Sequence, residues 1–255
     1  MDLSRRSFLA LAAILAARCR TQTPEAADSS GGASEDAGRR DDAEVRRDDV
    51  ASSDAGSVER YLSLGDSFTA GTGSLPSESF ASRLVARWRD AGVRVDARNP
   101  AVNGYTTADV LEREVPLLAV FLPTFVTLAI GANNIVRRGT AETYRADVRR
   151  ILRAARDAGV AAADIMALPQ PEWPRSPTGR EFGDSAQLLD RVREFNTILR
   201  DETRAIGGQW LDLTALMTAQ ADAGSWASDG LHPSALAYDQ WAEAIFRARP
   251  TVRAS

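Results

Sequence analysis

Residues 60–68 read Arg-Tyr-Leu-Ser-Leu-Gly-Asp-Ser-Phe, an apolar run that stops at Gly65 and is followed at once by Asp66 and Ser67. Short apolar runs that end at a glycine are typical of strands buried in a sheet. The sequence therefore predicts a strand near 60–64. It also predicts a tight turn, permitted by Gly65, that places Ser67 at the carboxyl end of this strand.

Further short apolar runs follow towards the C-terminus, where they alternate with segments of helical periodicity. This alternation is typical of βαβ units and a parallel sheet. Five strands within residues 58–255 predict one three-layer α/β domain. The predicted strands lie near 60–64, 93–98, 124–130, 163–168 and 209–213, and the predicted helices near 79–91, 107–119, 140–158, 186–206 and 234–248.

Four polar segments lie at one edge of this predicted sheet, where ligands of parallel sheets bind beyond the carboxyl ends of the strands. Taken singly, each has a structural explanation: a serine in such a turn is most often a helix cap, and Asn-Gly is most often a turn. Their common placement favours a functional site. The segments are Gly65-Asp66-Ser67-Phe68 after the first strand, Asn103-Gly104 after the second, Gly131-Ala132-Asn133-Asn134 after the third, and Asp229-Gly230-Leu231-His232-Pro233 before the last helix.

Together these segments contain the groups that acyl transfer to a serine requires: a nucleophile, a base, a group that orients the base, and donors for the developing oxyanion. Ser67 is the candidate nucleophile, and we expect its hydroxyl to face solvent. His232, the only histidine, is the candidate base, and Asp229 would hold its Nδ1 proton. The backbone N–H groups of Ser67 and Gly104 and the side-chain amide of Asn133 are the candidate oxyanion donors.

The order and spacing of the four segments resemble the sequence blocks of the SGNH/GDSL hydrolase superfamily across residues 58–255. The resemblance implies a flavodoxin-like three-layer α/β/α sandwich with a five-stranded parallel sheet. It also implies hydrolysis of carboxylic esters through a Ser-His-Asp triad and an acyl-enzyme intermediate. Ser67, Asp229 and His232 match the triad of this superfamily, and Gly104 and Asn133 match its oxyanion donors.

Three residues depart from the common pattern of the superfamily. Phe68 replaces a leucine and stays apolar, and Asn103 replaces a serine but leaves the Gly104 donor intact. Asn134 replaces the usual aspartate after Asn133. Because Asn133 is the donor, we expect this change to affect the support of the loop more than catalysis.

Other functions use the same fold. A non-catalytic flavodoxin-like binding lipoprotein, or a phosphate binder using Gly65, Gly71 and Gly73, would share the sheet. These glycines do not form G-x-G-x-x-G, however, and the loop lacks the lysine of a P-loop. Among enzymes, an O-acyltransferase or a glycan deacetylase with the same triad remains open, since water and a sugar hydroxyl are alternative acceptors.

Candidate substrate-binding residues lie in residues 170–184, a long segment after the fourth predicted strand. Trp173 and Phe182 are candidates for an apolar wall or lid, and Trp226 for the opposite side; a surface loop with incidental aromatics is the alternative. Short-chain or aryl esters are the predicted substrates, with a glycan ester as the other candidate. We expect the chain to act as a monomer.

Charge and composition argue against several other kinds of protein and site. All 31 basic residues of the chain are arginines, and 44% of its residues are hydrophobic, as in ordinary globular proteins. Residues 58–255 carry 23 basic and 24 acidic side chains, a balance that argues against nucleic acid as a partner. With one cysteine and one histidine, the chain has no internal disulfide and none of the usual zinc sites. The expected activity needs no metal or cofactor.

Residues 1–19 resemble an export signal. Arg5 and Arg6 precede Phe8 and an apolar run that ends at Ala17 and is too short to span a bilayer. The arginine pair resembles a twin-arginine signal, which exports folded proteins. An amphipathic first helix is the alternative, but the run shows no polar face.

Cys19 directly follows this run and resembles the acylated cysteine of a bacterial lipoprotein, although Arg18 departs from the small residue expected before it. An unremarkable cysteine in a cleavage region is the alternative. Residues 20–57 contain five arginines, ten acids and almost no large apolar side chains, so we expect a disordered linker. The expected product is an exported protein, either secreted, periplasmic or attached to a membrane through Cys19.

Overall fold

The computed structural model describes residues 58–249. The predicted signal peptide, Cys19 and the predicted linker lie outside the described residues, so they stay predictions. Within residues 58–249, no helix is long and apolar enough to cross a membrane.

Five parallel strands form one sheet in the order β2-β1-β3-β4-β5. This is the flavodoxin-like order, in which the chain moves outward in both directions from β1. The predicted five-stranded parallel sheet is confirmed. The strands are β1 (Glu59–Gly65), β2 (Val95–Arg98), β3 (Phe125–Ala129), β4 (Ile165–Ala167) and β5 (Gln209–Trp210).

Helices cover both faces of the sheet and give the three predicted layers. The first long helix packs against the last one, while the two longest helices pack against each other. The α-helices are α1 (Ser67–Ala70), α2 (Phe80–Asp90), α3 (Thr107–Asp109), α4 (Pro116–Phe121), α5 (Ala132–Val136), α6 (Ala141–Asp157), α7 (Ser185–Ala205), α8 (Thr214–Asp222) and α9 (Ala235–Ala248). Short 3₁₀ turns occupy Pro76–Glu78, Ala162–Asp164, Trp173–Arg175 and Gly179–Phe182.

One predicted helix is interrupted. The sequence predicted a single helix near 107–119, but a π-helical turn at Val110–Glu114 separates α3 from α4. The N–H of Val115 donates to the carbonyl of Val110, five residues earlier. Pro116 explains the break, because proline has no N–H to continue an α-helix and its ring crowds the preceding turn.

The strands β4 and β5 are shorter than predicted. Residues 162–164 wind into a 3₁₀ turn before β4, and β5 contains two residues against the five predicted. β5 is an edge strand whose only partner in the sheet is the three-residue β4. The length of a strand depends on the length of the strand that it pairs with, and apolar composition alone does not reveal this.

The core lies on either side of β1 and β3. All residues of β3 are buried, and Tyr61 of β1 packs between Trp88 and Phe125, with ring centroids 5.4 and 5.5 Å away. Both central strands therefore have apolar layers on each face. Their carboxyl ends, Gly65 and Ala129, are register partners. The segments that follow β1 and β3 therefore leave the sheet side by side.

Candidate active site

The turn after β1 is built around Gly65. A Cβ atom at this position would lie 2.3 Å from the carbonyl oxygen of Ala129, so the close approach of β3 requires glycine. Asp66 then caps α1 by accepting a hydrogen bond from the N–H of Phe68 (3.1 Å). Ser67 thus becomes the first residue of a short helix at the carboxyl end of β1.

The structure brings together the three residues predicted to act as nucleophile, base and orienting acid. His232 Nε2 lies 2.9 Å from Ser67 Oγ, across 165 residues of sequence, and His232 Nδ1 lies 2.7 Å from Asp229 Oδ2. The Phe68 ring packs 5.3 Å from the imidazole. The Ser67 side chain is more enclosed than predicted: Ser67 is 4% and His232 2% exposed. The hydrogen bond between the two side chains is buried.

Asp229 is held in its charged form. Its Oδ1 accepts hydrogen bonds from the N–H groups of Leu231 (2.9 Å) and His232 (3.0 Å). Burial alone would raise the pKa of Asp229, but these bonds and the one from the His232 ring hold it well below its usual range. An ionised Asp229 accepts a hydrogen bond from Nδ1–H, which leaves Nε2 able to accept the proton of Ser67 Oγ.

The predicted oxyanion donors lie on two segments that are bonded to each other. Asn133, on α5, donates from Nδ2 to the carbonyl of Tyr105 (3.0 Å). Arg137 donates to the carbonyl of Gly104 (2.9 Å), and Gly104 has a φ of 89°, a left-handed conformation that favours glycine. The loop that carries Gly104 is therefore fixed against the helix that carries Asn133.

Asn134 supports this same junction. Its Oδ1 accepts from the N–H of Thr107 (3.1 Å), and its Nδ2 donates to Thr107 Oγ1 (2.8 Å). Thr107 Oγ1 donates in turn to Asp147 (2.8 Å). An asparagine satisfies both a donor and an acceptor on Thr107, whereas an aspartate accepts only. The structure thus gives Asn134 the loop-supporting position that the sequence predicted.

The aromatic residues after β4 lie in different surroundings. Trp173 is 2% exposed and belongs to the hydrophobic core, so the prediction that it forms an open wall or lid is wrong for this conformation. Two 3₁₀ turns fold the segment back and bury the indole, which meets Phe182 edge to face at 5.8 Å. Trp226 is half-buried and forms a bridge with Pro233.

Phe182 also faces a groove. The groove has a volume of about 430 Å³ and runs between α5 and the start of α7. Its walls combine apolar and charged side chains. They include Ile135, Arg138, Phe182, Asp184, Leu188 and Arg191. Because Ile135 shares α5 with Asn133, the groove borders the helix that carries an oxyanion candidate.

Thr178 is a site contact that sequence analysis missed. Its N–H donates to the carbonyl of Gly230 (2.9 Å), and its Oγ1 donates to the carbonyl of Asp229 (2.8 Å). The segment after β4 therefore holds the loop that carries the acid and the base. A threonine inside a long loop gives no sequence signal for such a contact.

No group of three or more His, Cys, Asp or Glu side chains within residues 58–249 is arranged to hold a metal ion. The polar groups around Ser67 are instead engaged with one another, in the chain Asp229–His232–Ser67.

Comparison with known proteins agrees with this geometry. Residues 63–240 match the GDSL-like Lipase/Acylhydrolase family. No curated protein matches the sequence. Solved structures share the fold, including the following three. TesA is 22% identical with a TM-score of 0.61, and the match covers 75% of this chain and 99% of that one. A lipase/acylhydrolase from Enterococcus faecalis is 22% identical with a TM-score of 0.61, covering 74% of this chain and 94% of that one. A family 3 carbohydrate esterase from Clostridium thermocellum is 16% identical with a TM-score of 0.59, covering 75% and 94% of the two chains.

The family match covers the turn that carries Ser67, the segments of Gly104 and Asn133, and the loop of Asp229 and His232. The chain belongs to the GDSL-like lipase/acylhydrolase family of ester-hydrolysing serine hydrolases.

Proposed function

We propose that this ester hydrolase works through a triad of Ser67, His232 and Asp229. The observation that carries the proposal is the continuous pair of contacts from Asp229 Oδ2 through the imidazole to Ser67 Oγ. A serine within 2.9 Å of an imidazole nitrogen, with a carboxylate on the other nitrogen, is the arrangement that activates a hydroxyl group as a nucleophile.

The steps follow from these contacts. Ser67 Oγ attacks the ester carbonyl carbon while its proton passes to His232 Nε2. When the tetrahedral intermediate collapses, the alcohol leaves with that proton and an acyl-enzyme remains. Water then attacks the acyl carbon, gives a proton to Nε2, and the acid leaves as Ser67 Oγ is reprotonated. Asp229 stabilises the imidazolium in both halves without taking the proton itself.

The oxyanion is assigned to three donors: the backbone N–H groups of Ser67 and Gly104 and the side chain of Asn133. An asparagine amide has two N–H groups. One N–H of Asn133 is held by the Tyr105 carbonyl, which fixes the plane of the amide and leaves the other for the substrate oxygen. Donors fixed before the reaction need no reorganisation in the transition state.

For the substrate we propose small-molecule or glycan esters with a short acyl or aryl group, seated against Phe182. Support comes from the groove beside α5 and from the carbohydrate esterase with the same fold. The test is hydrolysis of a p-nitrophenyl ester series from acetyl to decanoyl, together with an acetylated xylo-oligosaccharide. A maximum at long chains would contradict the proposed substrate class.

An O-acyltransferase would use the same residues with a different acceptor. Adding glycerol or an oligosaccharide to the ester assay separates the two reactions. A hydrolase releases free acid at an unchanged rate. Formation of a new ester at the expense of free acid would identify a transferase.

Thr178 supplies a test of how the acid–base loop is positioned. We expect Thr178→Val to lower kcat about 5-fold to 10-fold, because it removes the Oγ1 hydrogen bond to Asp229 while keeping the shape of the side chain. Thr178→Ser is the matched control, since it keeps the hydroxyl and should retain most of the activity. Equal activity in all three proteins would show that this bond does not position Asp229.

We also propose export and attachment through an acylated Cys19, which rests on the sequence of residues 1–19. Full-length protein expressed in a bacterium should partition into detergent, and Cys19→Ser should release it or block its maturation. Changing Arg5 and Arg6 to lysine should trap folded precursor in the cytoplasm. A freely soluble wild-type protein that begins after residue 19 would exclude lipidation.

A further inference from the structure

Glu114 is a fully buried acid that the proposed mechanism does not use. It lies in the π-helical turn before α4, and its Oε2 accepts a hydrogen bond from the N–H of Gly65 (2.9 Å). Gly65 is two residues before Ser67, and 49 residues separate it from Glu114. The side chain therefore crosses to the base of the nucleophile turn and holds its first residue.

A second buried carboxyl group, that of Asp66, lies in the turn between Gly65 and Ser67. Asp66 is 0% exposed and uses Oδ1 to cap α1. The remaining oxygens, Asp66 Oδ2 and Glu114 Oε1, are both buried and have no hydrogen-bond partner among residues 58–249. Burying carboxylate oxygens without hydrogen-bond partners costs free energy, and a proton on one of the two acids lowers that cost.

Within residues 58–249, the charges that act on Glu114 are negative ones, those of Asp66 and Asp109. The charge of Asp66 also acts on the phenols of Tyr144 and Tyr238. The two arginines nearby, Arg113 and Arg137, act on Asp109. Ionised Asp66 and Glu114 would therefore repel each other next to the turn that carries Ser67.

We propose that Glu114 is a positioning residue that holds the nucleophile turn in its protonated form, so that ionisation of Glu114 at alkaline pH loosens the turn. The activity part of this inference rests on the proposed role of Ser67. In the neutral acid, Oε2 still accepts from Gly65 N–H and Oε1–H becomes a donor. The ionised acid adds a negative charge beside the carboxylate that caps α1.

The surroundings of Glu114 agree with a neutral acid near pH 7. Burial, followed by the negative charge of Asp66, raises the pKa of Glu114 to about 8, against the lowering effect of the Gly65 hydrogen bond. Burial also raises the pKa of Asp66 to about 7. The pKa of a glutamate in an unfolded chain is about 4.3.

The experiment compares wild type with Glu114→Gln, whose amide oxygen can accept from Gly65 and whose charge is always zero. We expect wild-type kcat to fall with a midpoint near pH 8. In the variant, the ratio of kcat at pH 9 to kcat at pH 7 should rise at least about 5-fold, with Ser67→Ala as the blank for spontaneous ester hydrolysis. The same alkaline fall in both proteins would overturn the proposal.

Thermal unfolding tests, without any substrate, whether Glu114 is protonated in the folded protein. Between about pH 4.3 and 8, the unfolded chain loses the Glu114 proton and the folded chain keeps it, so wild type loses stability as pH rises. The Tm of Glu114→Gln minus that of wild type should therefore increase from pH 5 to pH 8. A constant difference would contradict a protonated Glu114, and it would do so even if Ser67 had no catalytic role.

Should Glu114→Gln fail to fold, wild-type protein labelled with ¹³C at the glutamate carboxyls gives the same answer. One resonance should titrate well above the others, near pH 8. Titration of every glutamate in the ordinary range would overturn the proposal.

Discussion

Ser67→Ala should reduce ester hydrolysis by about 10⁴-fold to 10⁶-fold while leaving the domain folded. The change removes the only proposed nucleophile. In the folded state it removes one hydrogen bond, from Ser67 Oγ to His232 Nε2, so the expected change in Tm is a few degrees at most. The measurement is kcat/KM on the preferred p-nitrophenyl ester together with thermal unfolding of both proteins.

Ser82→Ala is the matched control. Ser82 lies on α2, where its Oγ donates a hydrogen bond to the carbonyl of Pro76 (2.8 Å) and accepts one from Ser79 Oγ (3.0 Å). This variant should keep wild-type turnover. Hydrolysis by purified Ser67→Ala at the wild-type rate would remove Ser67 as the nucleophile and favour a different serine or a different mechanism.

Asn133→Ala should lower kcat by about 10²-fold to 10³-fold, the usual effect of removing one oxyanion donor. KM should change much less, because the lost hydrogen bond is strongest to the oxyanion of the transition state and weaker to the ester carbonyl. The Tm should change little, since Asn133 makes one side-chain hydrogen bond at a half-buried position. Steady-state kinetics on the same ester provide both constants.

Asn134→Ala gives the contrasting result. This neighbour is buried and makes two hydrogen bonds to Thr107, so its loss should lower Tm more and kcat less than Asn133→Ala. If Asn133→Ala raises KM and leaves kcat unchanged, Asn133 binds the substrate and does not stabilise the oxyanion.

The residues placed after the central strands could be predicted because their position follows from local pattern. Gly65 ends a buried run, and in a parallel sheet the carboxyl ends of β1 and β3 lie next to each other. The register of the two strands brings the segments of Ser67 and Asn133 to one edge of the sheet. The positions of the strands therefore place the segments of Ser67 and Asn133 without knowledge of how the helices pack, whereas Asp229 and His232 follow α8 and no strand.

Glu114, Thr178 and Trp173 could not be placed in this way. Glu114 reaches Gly65 from a π-helical turn, and a periodic pattern in the sequence does not reveal that change of register. Thr178 acts through the carbonyls of a loop 51 residues away. Trp173 lies in the long segment after the fourth predicted strand, which suggested an apolar wall or lid, yet the 3₁₀ turns bury it.

Labelling with a fluorophosphonate measures the activation of Ser67 by His232, because this reagent reacts with activated serines whatever the natural ester is. Intact mass and peptide mapping of wild type should show one adduct per chain, located on Ser67. Ser67→Ala should remain unlabelled, and His232→Ala, which keeps the hydroxyl, should react at least about 10²-fold more slowly. Labelling of Ser67 in His232→Ala at the wild-type rate would show that His232 does not activate Ser67, and an adduct on another residue would show that Ser67 is not the nucleophile.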